Sequence, residues 1–161
     1  MGAAAVLAPV FVQVALTFGL IFWSGKLRVE AVRSGVVRPA DIALGQPNWP
    51  PLATQVSNAY GNQLELPILF YLVSMLSLFT ARASMALVVL AWLFVATRLL
   101  HALIHVTTNN VSRRFFLFLG GAAILTLMWI IYAVDLYFGG SGTLPPLDVD
   151  ALGGEPLPTG Q

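Results

Sequence analysis

Four long apolar runs, each nearly free of charge, set the pattern of this chain. Ala3 to Ser24 carries no charged residue, Ala53 to Ala81 carries only Glu65, Ala83 to Ser112 carries only Arg98, and Phe115 to Val134 carries none. A helix needs about 20 predominantly apolar residues to cross a bilayer core, so each run predicts a membrane-spanning helix. The expected spans cover residues 3–24, 55–80, 83–106 and 114–137. No basic residue precedes the first run, and it is too long for a secretory signal, so it reads as a span like the others. Arg82 and its neighbours form a short turn, which makes the second and third helices an antiparallel hairpin.

The remaining segments differ in kind. Residues 25–54 begin with basic side chains and turn Pro-rich (RPADIALGQPNWPPLA), which predicts a short helical extension and then a loop draped on the membrane surface. Residues 139–161 are rich in Gly and Pro with scattered acids and read as a flexible tail. The expected fold is therefore all-α, an integral membrane four-helix bundle over residues 1–138. No internal repeat is visible. Nor is there an interrupted helix of the kind transporters place at mid-membrane, which tells against transport.

Composition strengthens this picture. The 161 residues are 58% hydrophobic and only 9% charged, against about 25% charged in ordinary soluble domains, and the mean hydropathy is +0.82. So few charges cannot clothe a water-facing surface, and lipid must be the outer solvent. A net charge of +1 argues against a nucleic-acid footprint. The absence of cysteine excludes disulfide, zinc-thiolate and nucleophilic thiol chemistry. Lys26, Arg28, Arg33, Arg38, Arg113 and Arg114 all flank one side of the predicted bundle, and Arg82 alone flanks the other. By the positive-inside rule, loops one and three are expected in the cytoplasm and both termini outside it.

The chemistry is concentrated on the second and third spans. Polar groups inside a span are costly, by about 2.5–3.5 kcal/mol per charge at mid-helix, and so call for partners or a wet site. Asn58, Asn62 and Glu65 recur at steps of four and three, as do Arg98, His101 and His105 at three and four, so each set occupies one face of its helix. Residues equally far from the hairpin turn lie level in the membrane, which matches Asn58 with His105, Asn62 with His101, and Glu65 with Arg98. The deepest match predicts a Glu65–Arg98 ion pair, serving either as glue that fixes helix register or as part of a site. The rest of the face exceeds what register requires and predicts a ligand site. His101 and His105 also have the i, i+4 spacing of metal ligands, with Glu65 as a conceivable third. Arg98 competes for that carboxylate, so no metal is expected, and a haem clamped by two helices is disfavoured because both histidines share one helix. Gly120, Gly121, Ala122 and Ala123 give the fourth helix a small-residue patch suited to close packing.

With these residues in hand, the segments NAYGNQLELPILFY (58–71), RLLHALIH (98–105) and RRF (113–115) resemble the MAPEG superfamily. These are the membrane-associated proteins in eicosanoid and glutathione metabolism. GKLR (25–28) is similar to the family's Gly-x-x-Arg segment, and Asn62, Gln63, Glu65 and Pro67 match the Asn-Gln-x-Glu-x-Pro signature of a bacterial subgroup. The resemblance covers about residues 5–137. It implies a homotrimer of four-helix bundles with glutathione as cofactor, held in sites at subunit interfaces. It further implies that Arg28, Asn62, Glu65, His101 and Arg114 occupy ligand-contacting or neighbouring polar positions and that Arg98 is a buried arginine. Glu65 would take the ligand's amino group, and Arg28 and Arg114 its carboxylates or thiolate. The sequence departs from the family at Asn58 and Gly61, where arginines stand in some members, at His105 in place of a tyrosine, and at Phe115 in place of the serine of prostaglandin E synthase.

Two functions follow as expectations. One is a glutathione-dependent transferase or peroxidase acting on lipophilic small-molecule electrophiles, with Arg114 (or Arg28) stabilising the thiolate and His105 as acid or base. The other is a non-catalytic membrane protein of the same fold that binds a different small ligand or a membrane partner.

Overall fold

The apolar runs become helices, and α1 continues through Pro9 in its second turn. A computed structural model describes residues 2–45 and 48–139, so nearly all of the expected tail lies outside the described residues. Every regular element described is helical: α1 Ala3–Arg33, α2 Pro51–Gly61, α3 Leu66–Phe79, α4 Met85–Val106 and α5 Val111–Phe138, with 3₁₀ turns at Pro39–Asp41 and Asn62–Leu64. Taking α2 and α3 together as one crossing, four helices are long and apolar enough to cross a membrane.

α1 has 31 residues, about 46 Å at 1.5 Å per residue, whereas the bilayer core is about 30 Å thick. The bilayer limits apolar length and not helix length, so α1 continues past Ser24 into the headgroup region, carrying Lys26, Arg28, Glu30 and Arg33. Lys26 and Glu30 pair at 3.8 Å along it. The following loop is pinned where Arg38 Nε and Nη2 donate to the two Asp41 carboxylate oxygens at 2.9 and 3.0 Å. That hydrogen-bonded contact holds the Asp41 carboxyl below its ordinary range.

The second crossing is not the continuous helix its composition suggested. α2 ends at Gly61, a 3₁₀ turn follows over Asn62–Leu64, and Glu65 takes φ −98°, ψ −99° before α3 begins. Pro67 is the cause. In an unbroken helix its ring would strike the carbonyl four residues back, and it has no N–H to offer. Placed in the first turn of a new helix, both defects disappear. The freed backbone is partly satisfied by side chains: Gln63 Nε2 donates to the Ala59 carbonyl at 3.0 Å and Asn62 Nδ2 to the Asn58 carbonyl at 2.9 Å.

The α3–α4 hairpin is tight. The Arg82 N–H reaches the Ser77 carbonyl at 2.8 Å and the Ala81 N–H the Leu78 carbonyl at 3.0 Å, a Schellman closure. It requires a left-handed residue, and here that residue is Ala81 at φ 54°. Ser84 then caps α4 by accepting from the Leu87 N–H. The register this turn imposes is visible deeper in the bundle, where the Phe70 and Phe94 rings stack with centroids 4.8 Å apart, level to within one residue of equal distance from the turn.

Two apolar clusters hold the helices together. The larger, around Phe70, Val73, Phe94, Val95, Leu125 and Met128, joins α3, α4 and α5. The smaller, Leu20, Val56, Ala59 and Ala102, joins α1, α2 and α4. Buried polar residues sit alongside both. Gln13 Nε2 donates to Gln63 Oε1 at 2.9 Å, tying α1 to the break in the second crossing.

Two stability outcomes follow. Ala81→Gly removes the strain of an L-residue in the left-handed region, worth about 1 kcal/mol, and is expected to raise the melting temperature in detergent by a few degrees; Ala81→Val is expected to lower it. Gln13→Leu strands the Gln63 amide and is expected to cost about 1–3 kcal/mol, with the Gln13→Leu/Gln63→Leu double variant recovering much of the loss in the same melting experiment.

Candidate functional site

Arg98, His101 and His105 fall at i, i+3 and i+7 on α4, so one face of that helix carries all three. Each is buried, and Arg98 is 0% exposed. The Arg98 guanidinium lies between the rings of Phe94 and Phe118, its central carbon 5.6 Å from each centroid, and Nη2 donates to the Leu117 carbonyl of α5 at 3.0 Å. Gly121 makes this seat possible: a Cβ there would stand 2.5 Å from Nη2 and 2.8 Å from the Thr97 hydroxyl. The small-residue patch of the fourth span therefore serves an arginine as much as a neighbouring helix. The His101 and His105 rings meet edge to face at 5.9 Å, and Phe118 lies against His101.

Arg114 enters this group from the first turns of α5. Asn110 caps the helix by accepting from the Arg113 N–H at 3.0 Å, and Asn109, in a left-handed conformation at φ 48°, accepts a hydrogen bond from Arg114 Nη1. Arg114 is close enough to act electrostatically on both imidazoles, as Arg98 is on His101. The structure thus gathers Arg98, His101, His105 and Arg114 along the packed interface of α4 and α5.

The hydrogen bonding of this buried group is incomplete. Arg98 Nε and Nη1, Arg114 Nε, His101 Nδ1 and both nitrogens of His105 are buried with no hydrogen-bond partner among the described residues. Arginine offers donors only, and an unmet buried donor costs about 1–3 kcal/mol. The arginine nitrogens want acceptors, and each neutral imidazole offers one donor and one acceptor.

Glu65 does not supply an acceptor. The ion pairs among the described residues are Lys26–Glu30 and Arg38–Asp41, not Glu65–Arg98. The break before α3 is the physical reason: Glu65 sits at the helix start in a non-helical conformation, and its side chain is exposed, although near enough to be felt electrostatically at Arg98. Asn58 is likewise exposed and Asn62 half-buried. The helix-two residues therefore form an outward polar strip, while the helix-three residues turn inward to α5.

Arg28 belongs to a third neighbourhood. Its Nη2 donates to Ser57 Oγ at 2.6 Å and its guanidinium lies 4.9 Å from the Trp49 ring. Together with Thr54 and Asn58 these residues line a cavity of about 350 Å³ at the α1–α2 end of the outward strip. Phe115 is exposed on α5 and Gly61 half-buried at the end of α2.

Comparison with known proteins matches residues 6–134 to the MAPEG family. The chain belongs to the MAPEG family. It is a multi-pass membrane protein of the MAPEG type, with four membrane-crossing helices and no strand among the described residues. No curated protein and no solved structure matches it.

Several residues that build this MAPEG site carry weak sequence signals. Gln13 is uncharged and sits among apolar neighbours, so nothing in its surroundings marks it. Phe118 looks like any lipid-facing aromatic. Asn109 was detectable, because an Asn-Asn pair between two apolar runs is a turn and cap signal. Gly121→Ala tests the seat directly: the new methyl must displace the guanidinium, at about 1–3 kcal/mol for overpacking. Gly120→Ala, which meets open space, is expected to leave the melting temperature unchanged.

Proposed function

We propose that this MAPEG protein is a glutathione-dependent transferase or peroxidase acting on lipophilic electrophiles. The observation that carries the reading is the buried, incompletely hydrogen-bonded cluster of Arg98, His101, His105 and Arg114. Glutathione brings two carboxylates, an ammonium and a thiol that becomes a thiolate, which are the complements of what the chain leaves unpaired. Arg114 would stabilise the thiolate, and one unpartnered nitrogen of His105 would take the thiol proton. The sulfur would then attack an electrophilic carbon arriving from the lipid, and the leaving group would depart. Glu65 would pair with the ammonium, and Arg28 with a carboxylate, across the α1–α2 cavity.

The outward strip supports an assembly. Asn58 and Glu65 are exposed on a helix that crosses the membrane, and lipid is a poor neighbour for both. A second copy of the chain covering them would bring its own groups to the site. We take the assembly to be the homotrimer that the family resemblance implies. We also place the protein in a bacterial inner membrane, with the basic loops one and three in the cytoplasm, where a water-soluble thiol could enter.

A specific observation favours a second reading. Asn58 and Gly61 stand where some family members carry arginines, and asparagine cannot replace bidentate arginine on a carboxylate. A non-catalytic protein holding a different small ligand would tolerate that loss.

The two readings separate in one experiment on the purified full chain. Millimolar glutathione is expected to raise the melting temperature and to support conjugation of 1-chloro-2,4-dinitrobenzene. Arg114→Ala is expected to weaken both by about 10–100-fold, the weight of one charged hydrogen bond, and His105→Phe to lower turnover more than affinity. The absence of both a glutathione shift and turnover supports the second reading and defeats the transferase, and a shift without turnover defeats catalysis while leaving glutathione as the ligand.

A further inference from the structure

The outer face of α1 carries a feature that the site above does not use. Phe11, Phe18, Phe22, Gly25, Val29 and Arg33 recur at helical spacing and form one stripe. Phe11, Phe18 and Phe22 are exposed at 68%, 56% and 72%, and the rings of Phe18 and Phe22 stack at 6.0 Å. Beside Gly25 a Cβ would meet nothing within 4 Å, so the stripe is unobstructed at that point. It then runs into a groove of about 360 Å³ lined by Arg28, Val29, Val32, Arg33 and Trp49.

Depth and charge decide what fits. The groove begins where α1 leaves the apolar core, at the level of lipid headgroups, where a tryptophan such as Trp49 is at home. Both titratable residues lining it are arginines. Glu30 lines a different cavity, with Leu27 and Pro50, and is occupied by Lys26. The Phe18–Phe22 surface below is wholly apolar. A cationic recess joined to an apolar strip matches a molecule with a phosphate at one end and a hydrocarbon chain at the other.

We infer that this stripe is a binding site for an anionic phospholipid, with its phosphate between Arg28 and Arg33 and an acyl chain along Phe18 and Phe22. Arg28 forms the wall between this groove and the polar cavity on α2, since it lines both. A seated headgroup therefore lies one side chain away from the proposed thiol site. The two readings share Arg28, but Arg33 and the phenylalanines take no part in the proposed thiol site, and the test below acts on them alone.

The test is native mass spectrometry of the full chain in detergent, titrated with phosphatidylglycerol and, separately, with phosphatidylcholine. Wild type is expected to retain phosphatidylglycerol in preference, and millimolar inorganic phosphate is expected not to displace it, which distinguishes a lipid from a free anion. Arg33→Gln is expected to weaken phosphatidylglycerol by about fivefold, the weight of one basic residue at an anionic surface, and to leave phosphatidylcholine unchanged. Phe18→Ala/Phe22→Ala is expected to weaken both lipids. All these residues are exposed, so elution volume and helix content should match wild type. Equal retention of the two lipids, displacement by phosphate, or an unaltered preference in Arg33→Gln would overturn the inference. So would variants that change only the oligomeric mass, because a second copy of the chain would then be what covers the stripe.

Discussion

The arrangement of this protein turns on guanidinium and imidazole groups held in an apolar bundle with several of their nitrogens unpartnered among the described residues. A bilayer offers no water to relieve an unmet donor, so a chain that buries Arg98, His101 and His105 on one helix needs strong structural support for them. That support is visible. Gly121 opens a seat, two phenylalanine rings cover the faces of the guanidinium, and one backbone carbonyl takes one of its five donors. Most of the buried polar atoms left without a partner among the described residues belong to Arg98, His101, His105 and Arg114. A purely structural arginine would be expected to find a carboxylate, and Glu65, close enough to be felt, is turned outward instead.

The broken second crossing explains that division of labour. Were α2 and α3 one helix, Asn58, Asn62 and Glu65 would share a face with a fixed angle to α4. Pro67 forbids this, and the break at Asn62–Glu65 leaves their side chains at the surface of the chain. Gln13 and Gln63 hold the break against α1, so it is a built corner rather than a frayed end. One chain thus carries two polar surfaces: an inward one on α4 and α5, rich in donors, and an outward one on α2 that includes a carboxylate. The two are complementary in charge.

Much of this was legible in the sequence, for physical reasons that also mark where the reading stopped. The crossings show because a bilayer permits few charges, and the hairpin register shows because a short turn leaves little freedom; Phe70 against Phe94 bears out the register. The collection of Arg98, His101 and His105 on one face follows from helical spacing alone. Facing directions were not legible. Spacing treats Asn62 and Glu65 as neighbours on a regular helix, and the local consequence of Pro67 two residues later rotates them away. The Glu65–Arg98 ion pair failed for that reason. The partners of the buried arginines were hidden for another, since Gly121, Phe118 and the Leu117 carbonyl carry no chemical label in a sequence.

The most direct measurement of this account is the melting temperature of Arg98→Met with and without millimolar glutathione. An unpaired buried charge exchanged for an apolar side chain of similar length is expected to leave the free protein as stable as wild type, or more so, because the desolvation cost of the ion disappears. The same exchange is expected to diminish or abolish the stabilisation by glutathione. Should Arg98→Met instead melt far below wild type while keeping the full glutathione shift, the arginine is scaffold alone. The cluster would then have no part in binding the ligand.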